Sequence, residues 1–303
     1  MVKGILVYTS ADAEYNEWFI DHIIEEGRKC GLDIRLVLSD KEEISDIDEI
    51  SDNKKISGIE EISNKEEVPD IDYSFAIVRN RDSKLCKRLE ENNIRCFNSS
   101  YVVNIGNDKW EMYKDFNSAG IPVMYTQRTK LPYPFVMKPV NGHGGENVYL
   151  IKNADEYKKA IDTKPDEKTG KFIFQVPATE KGRDIRVYVV GGIILTAMER
   201  IARDSENDFR SNYSLNGNAK EHALTDEELK LAAKVADHIK ADFVGIDLIY
   251  NNGKPVVNEI EDAVGTRMLY SLTDIDPVRE FVAHIADIIC SQNNKCNEEI
   301  KCI

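Results

Sequence analysis

Lys138 sits inside an apolar stretch, FVMKPV, and the loop Asn141-Gly142-His143-Gly144-Gly145-Glu146 follows at once. Burying an unpaired ammonium is costly, so a lysine there either pairs with an acid or meets an anion at the strand edge. The glycines permit positive φ and close backbone approach, which lets amides face phosphate oxygens. A plain glycine hairpin is the alternative. Downstream, GIDLIY and NEIE put Asp247, Glu259 and Glu261 on neighbouring β segments. Glu259 and Glu261 are two apart and share one strand face, where like charges repel unless solvent or a cation separates them. Magnesium takes oxygen ligands and commonly bridges carboxylates to nucleotide phosphates. Between these halves lie Asp184 and Arg186 in RDIR, and Arg210 and Asn212 in DFRSN. Guanidinium groups suit phosphoryl oxygens.

The surrounding elements exclude several other nucleotide sites. The glycine loop lies between two strands, so it is neither a Walker A loop nor a Rossmann turn. In protein kinases the glycine loop precedes the lysine strand, whereas here it follows. The N-terminal part reads GILVYTS (strand), a helix from near Asp12 with Trp18, Phe19, Ile23 and Ile24 on one stripe, then DIRLVLS (strand). Such alternation predicts a parallel α/β sheet. Residues 40–70 are acidic, with EIS at 43, 49 and 61, and read as a solvated insertion. The sheet resumes at SFAIVRNR. The helix DKWEMYKDFNSAG carries Trp110, Tyr113 and Phe116 as core. A hairpin turns at Gly191-Gly192. Thr225 to Glu228 is a capping box, and Asn251-Asn252-Gly253 joins the two acid-bearing strands.

Composition narrows the partners. The chain has 303 residues, 42% hydrophobic, and a formal net charge of −14. That length predicts two or three packed lobes. So acidic a chain is a poor ligand for nucleic acid or an anionic membrane, and no apolar run approaches a membrane span. MVKGILVYTS reads as a first strand and lacks the features of a signal peptide, which places the protein in the cytoplasm. The six cysteines read as reduced structural thiols.

Taken in order, NDKWEMYKDFNSAGIPV, FVMKPVNGHGGENVYLI, FIFQVPATEKGRDIRVYVVGG, ERIARDSENDFRSN and FVGIDLIYNNGKPVVNEIE resemble the ATP-grasp superfamily. They are most similar to its RimK-like branch of carboxylate–amine ligases. The resemblance runs from about Asn98 to Glu261. It implies an α+β fold with an N-terminal parallel α/β domain (1–97), a central lobe with a glycine-rich lid (98–178) and a C-terminal lobe with the metal site (179–303). It further implies that Lys109 and Lys138 contact ATP, and that Gly142, His143, Gly144 and Gly145 close over the phosphates. Gln175, Val176 and Pro177 would form the hinge beside adenine, with Asp184 near the ribose. Arg210 and Asn212 would serve the phosphates, with Arg210 and Arg186 as catalytic groups. Asp247, Glu259 and Glu261 would hold Mg2+, with Mn2+ able to replace it. The family usually shows E-x-N and a small-Pro-Gly loop at the last metal pair, whereas this chain has Glu259-Ile-Glu261 followed by Asp262-Ala-Val-Gly-Thr-Arg267.

The implied reaction activates a carboxylate as an acyl phosphate and joins it to an amine, with small-molecule or peptide substrates. A carboxylate kinase or carboxylase on the same fold, and a non-catalytic nucleotide-binding module, are the alternatives. Arg79, Arg81 and Arg267 are candidates for gripping a substrate carboxylate. A homo-oligomer is compatible with the sequence.

Overall fold

The computed structural model describes residues 1–40, 60–61, 73–142, 147–162, 172–202 and 218–293. Apart from Glu61, the EIS copies fall outside them, as do Cys296 and Cys302. The chain divides into two units, one of residues 1–103 with the segment from Asp276 onward, the other Asn104–Ile275.

The first unit is built on β1 (Val2–Tyr8), α1 (Ser10–Tyr15), α2 (Glu17–Lys29), β2 (Leu32–Leu38), β3 (Glu60–Glu61), β4 (Phe75–Val78), α3 (Ser83–Glu91) and β5 (Arg95–Cys96). Its sheet is ordered β3-β2-β1-β4-β5 and every pair is parallel, as the strand–helix–strand alternation predicted. Ile5, Leu6, Val7 and all of β4 are buried, which is why these strands read as continuous apolar runs. The helix expected from Asp12 is two helices broken at Asn16. Its buried stripe is Phe19, Ile20 and Ile23, whereas Trp18 is 56% exposed and stacks on His22. A helix turns roughly 100° per residue, and that step carries Trp18 off the sheet-facing side.

The second unit holds α5 (Lys109–Ser118), β6 (Thr126–Gln127), β7 (Phe135–Pro139), β8 (Tyr149–Ile151), α6 (Ala154–Asp162), β9 (Phe172–Gln175), β10 (Arg183–Val190), β11 (Ile193–Ile201), β12 (Asn218–Glu221), α7 (Asp226–Ile239), β13 (Phe243–Asn251), β14 (Lys254–Glu261) and α8 (Arg267–Leu272). Helix α4 (Ser100–Asn107) joins the two units, and α9 (Pro277–Asn293) follows α8. The antiparallel order β6-β9-β7-β8 makes one sheet and β12-β11-β10-β13-β14 the other. Tyr113 and Phe116 of α5 are buried, as the stripe predicted, and so is Met112, while Trp110 of the stripe is only half-buried. Gly191 and Gly192 both have positive φ, as do Asn252 and Gly253, the signature of tight hairpin turns. Thr225 and Glu228 form the expected capping box at α7.

Helix α9 groups with residues 1–103, although the sequence placed it in the last lobe. It packs on α2, where His22 Nε2 lies 2.9 Å from Asp276 Oδ2 at the start of α9. Among the described residues no helix is long and apolar enough to cross a membrane.

Candidate active site

Two lysines and three carboxylates meet inside the second unit. Lys109 opens α5, whose N-cap Asp108 accepts from the Glu111 amide. This cap directs the lysine inward, where it is 7% exposed, donates to the Gly142 carbonyl at 2.6 Å and lies 3.0 Å from Glu259 Oε2. Lys138, also 7% exposed, projects from β7 and donates to Asn258 Oδ1 at 2.7 Å. Burial pulls the Lys138 pKa down to about 8, against the opposing pull of Glu259. For Glu259, burial pushes upward but Lys109 and Lys138 outweigh it, and its pKa lies below the ordinary value.

The acids share one face of the second sheet because a β-bulge between Asp247 and Leu248 brings Glu259 opposite Asp247. Strand β10 places Asp184 and Arg186 two residues apart, hence on the same side. Arg186 lies opposite Asp247 on β13, and Asp247 lies opposite Glu259 on β14. Asp247 is fully buried. Its Oδ1 accepts from Arg186 Nε, and its Oδ2 from Arg186 Nη2 and Arg200 Nη2, each at 2.7 Å. Burial would raise the Asp247 pKa, but Arg186 and Arg200 bring it down to about 2. Arg186 Nη2 also donates to Glu261 Oε1 at 2.6 Å. The pKa of Asp184 is raised, because burial outweighs its pairing with Arg200. Gly245 keeps the row open, since a Cβ there would come within 2.7 Å of Val264 Cγ2 and 3.5 Å of Arg186 Cδ.

One oxygen from each of Asp247, Glu259 and Glu261 falls within 4.8 Å of the others. An all-carboxylate set of this kind fits a hard divalent cation such as Mg2+ or Mn2+. A second group, His22, Glu26 and Asp276, lies in the first unit. There Lys29 and Arg279 already neutralise its carboxylates.

The remaining expected residues are placed as follows. Gly142 is needed where it stands, because a Cβ would lie 2.6 Å from Pro139 Cγ. His143, Gly144, Gly145, Arg210 and Asn212 lie outside the described residues. Gln175 turns its side chain inward, donating to Tyr113 Oη at 2.6 Å and Thr126 Oγ1 at 3.0 Å. Tyr113 in turn donates to the Asn258 carbonyl at 2.6 Å. Val176 is 40% exposed, and its amide donates to the Tyr125 carbonyl. Pro177 is half-buried beside it. Asp184, expected near the ribose, is 3% exposed, with both oxygens held by Arg200. Arg79 is buried in the first unit beside Tyr8 and over the Phe19 ring, and Arg81 lies 3.8 Å from Asp12. Arg267 is exposed at the start of α8 in the second unit.

Sequence reading missed Arg200, Asn258 and Tyr113 as parts of this network. Arg200 carried one signal, a guanidinium in the same hairpin as Asp184 and Arg186.

The model of the RimK-like ATP-grasp domain matches residues 104–285. The chain belongs to the RimK-like ATP-grasp family. The enzyme class follows, an ATP-dependent carboxylate–amine ligase of the ATP-grasp type. Among relatives of this RimK-like chain, the uncharacterized protein MG011 homolog of Mycoplasma pneumoniae is 29% identical over 279 residues, covering 88% of this chain and 86% of that one. A probable alpha-L-glutamate ligase of Histophilus somni is 25% identical over 210 residues, covering 66% of this chain and 70% of that one. Among solved structures, D-alanine–D-alanine ligase from Bacillus anthracis superposes with a TM-score of 0.65 at 14% identity, over 97% of this chain and all (100%) of that one. D-cycloserine synthetase DcsG gives 0.63 at 15% identity, over 95% and 99%. At these identities the two structures support the ATP-grasp fold alone.

Proposed function

We propose that this RimK-like protein is a Mg-ATP-dependent ligase that activates a substrate carboxylate as an acyl phosphate and joins it to an amine, releasing ADP and phosphate. The observation that carries the reading is the meeting of Lys109 and Lys138 with Asp247, Glu259 and Glu261 in one partly buried cluster. A divalent cation bound by those three carboxylates supplies charge neutralisation for the nucleotide phosphates. Lys109 and Lys138 would bind phosphate oxygens, exchanging Glu259, Gly142 and Asn258 for the nucleotide. The cluster is formally neutral, with Lys109, Lys138, Arg186 and Arg200 against Asp184, Asp247, Glu259 and Glu261. It can therefore trade internal ion pairs for ligands without stranding a buried charge, which would be strongly destabilising. Gln175 and Tyr113 fix the hinge strand to the Asn258 backbone, holding the nucleotide position relative to the acids. Neither reaction step needs a protein nucleophile, so catalysis here is positioning and charge compensation.

Within this reading, His143, Gly144, Gly145, Arg210 and Asn212 attend the phosphates, and Arg79, Arg81 and Arg267 serve carboxylate recognition. The probable alpha-L-glutamate ligases among the relatives direct attention to amino acids and short peptides as substrates. The protein is assigned to the cytoplasm.

The test is an ADP-release screen over pairs of amino acids and short peptides, with mass spectrometry of the products. A ligase turns over only when a carboxylate and an amine are both present, and yields an amide. Turnover without amine would replace this reading by a carboxylate kinase, or by a carboxylase if bicarbonate is required. No turnover with any pair, despite Mg-ATP binding, would replace it by a nucleotide-binding module.

A further inference from the structure

Arg200 and Arg186 both reach Asp247, but in different ways. Arg186 spans two of the carboxylates that would share a metal, Asp247 and Glu261, through the same Nη2. Its contacts are therefore among those an arriving cation competes with, beside that of Lys109 with Glu259. Arg200 approaches Asp247 from β11 and is itself anchored. Its Nε and Nη2 hold Asp184 Oδ1 and Oδ2 at 2.7 and 2.6 Å, while Nη2 holds Asp247 Oδ2 at 2.7 Å. Both Arg200 and Asp184 are 3% exposed, and they face each other directly in the β10–β11 ladder. Little of this ion pair is open to solvent.

We propose that Arg200, anchored by Asp184, is a positioning residue that holds the Asp247 carboxylate in its metal-binding orientation while Arg186 yields its contacts to the cation. The inference rests on the ATP-grasp reading of the site. It makes Asp184 a structural anchor of the metal ligands. Outer partners of metal ligands fix ligand orientation, and their loss typically weakens metal binding by about 10- to 100-fold. A guanidinium can hold one carboxylate with two nitrogens and still reach another, whereas a lysine ammonium supplies charge without that fork.

The experiment is a Mn2+ titration of the full-length protein with a non-hydrolysable ATP analogue, read by electron paramagnetic resonance. It compares wild type, Arg200→Lys, Asp184→Asn and Glu259→Gln. Arg200→Lys keeps the charge and loses the fork, so about tenfold or weaker Mn2+ binding is expected. A matching rise is expected in the Mg2+ concentration needed for half-maximal ADP release. Arg200→Lys binding Mn2+ as tightly as wild type would overturn the proposal, because charge alone would then suffice. Should Arg200→Lys fail to fold, Asp184→Asn decides in the same titration: about tenfold loss supports the anchor and wild-type affinity removes it. Equal Mn2+ affinity in wild type and Glu259→Gln would instead show that the cation does not sit at these carboxylates. That result overturns the underlying site reading, and the inference with it.

Discussion

Asp247 lies directly opposite Glu259 across the β13–β14 ladder, one residue out of step with the count from the hairpin turn. Below the turn, Asn251 pairs with Lys254 and Leu248 with Val257; the bulge then skips Asn258. The skipped residue puts its side-chain oxygen on Lys138 and its carbonyl on Tyr113. The irregularity that aligns the two acids thus also supplies the partner of the buried lysine.

Lys138 is expected to matter for turnover and to cost stability. Its burial without a carboxylate in hydrogen-bond contact pulls its pKa down to about 8, so the folded state is penalised for holding the charge. Lys138→Met should lower ADP release by about a hundredfold or more, on the scale of one preorganised donor at ~3 kcal/mol. Wild-type ADP release by this variant would count against the site.

The pH dependence follows with a definite sign. Lys138 titrates near 8 when folded and near its ordinary 10.5 when unfolded. Between those values the unfolded chain binds more protons, so this group makes stability rise with pH. The stability of wild type relative to Lys138→Met should therefore rise as pH goes from about 8 towards 10.5. Urea denaturation of both proteins across that range measures it, and a constant difference would contradict the depressed pKa.

Glu228 ties α7 to its surroundings. Its carboxylate accepts from the Thr225 amide at 2.7 Å and from the Tyr250 hydroxyl, and pairs with His222. Burial pushes its pKa up, but these three partners prevail and hold it below the ordinary value. Glu228→Ala should cost about 2 kcal/mol, a lost cap plus a charged hydrogen bond. Because the folded pKa is depressed, this contribution is full above the ordinary glutamate pKa and fades as pH falls through the folded value. Thermal unfolding at neutral and acidic pH should show the two proteins converging in acid.

Gly245 is expected to be intolerant of a methyl group. The Cβ of Gly245→Ala would meet Val264 Cγ2 at 2.7 Å, while Arg186 Cδ, at 3.5 Å, would be in ordinary contact. Overpacking of this kind costs about 1–3 kcal/mol. The variant should show a lowered unfolding midpoint, because Val264 must move, with the Mg2+ dependence of ADP release close to wild type. An unchanged midpoint would mean that Val264 gives way freely.

Arg267→Ala should raise KM for the carboxylate substrate while ATP affinity holds, measured by ADP release with varied substrate and by nucleotide titration. An unchanged KM would remove Arg267 from recognition.

The elements and the chemistry of this site were legible because they depend on local pattern. The strand–helix–strand alternation of the N-terminal part marked a parallel sheet, the Thr225–Glu228 box marked the start of α7, and Lys138 in an apolar strand marked a buried cation. Trp18 was misplaced because one helical step separates a buried face from an exposed one. The pairing across the second sheet was out of reach for a similar reason. Counted regularly from the turns, Asp184 would oppose Glu199, and Asp247 would oppose Asn258. Bulges at Tyr188/Val189 and Asp247/Leu248 shift both ladders by one, so that Arg200 meets Asp184 and Glu259 meets Asp247. A one-residue shift moves every side chain beyond it to the other face. Residue types therefore specified which charges the site contains, while the two bulges, which depend on packing across the whole sheet, placed those charges on one face.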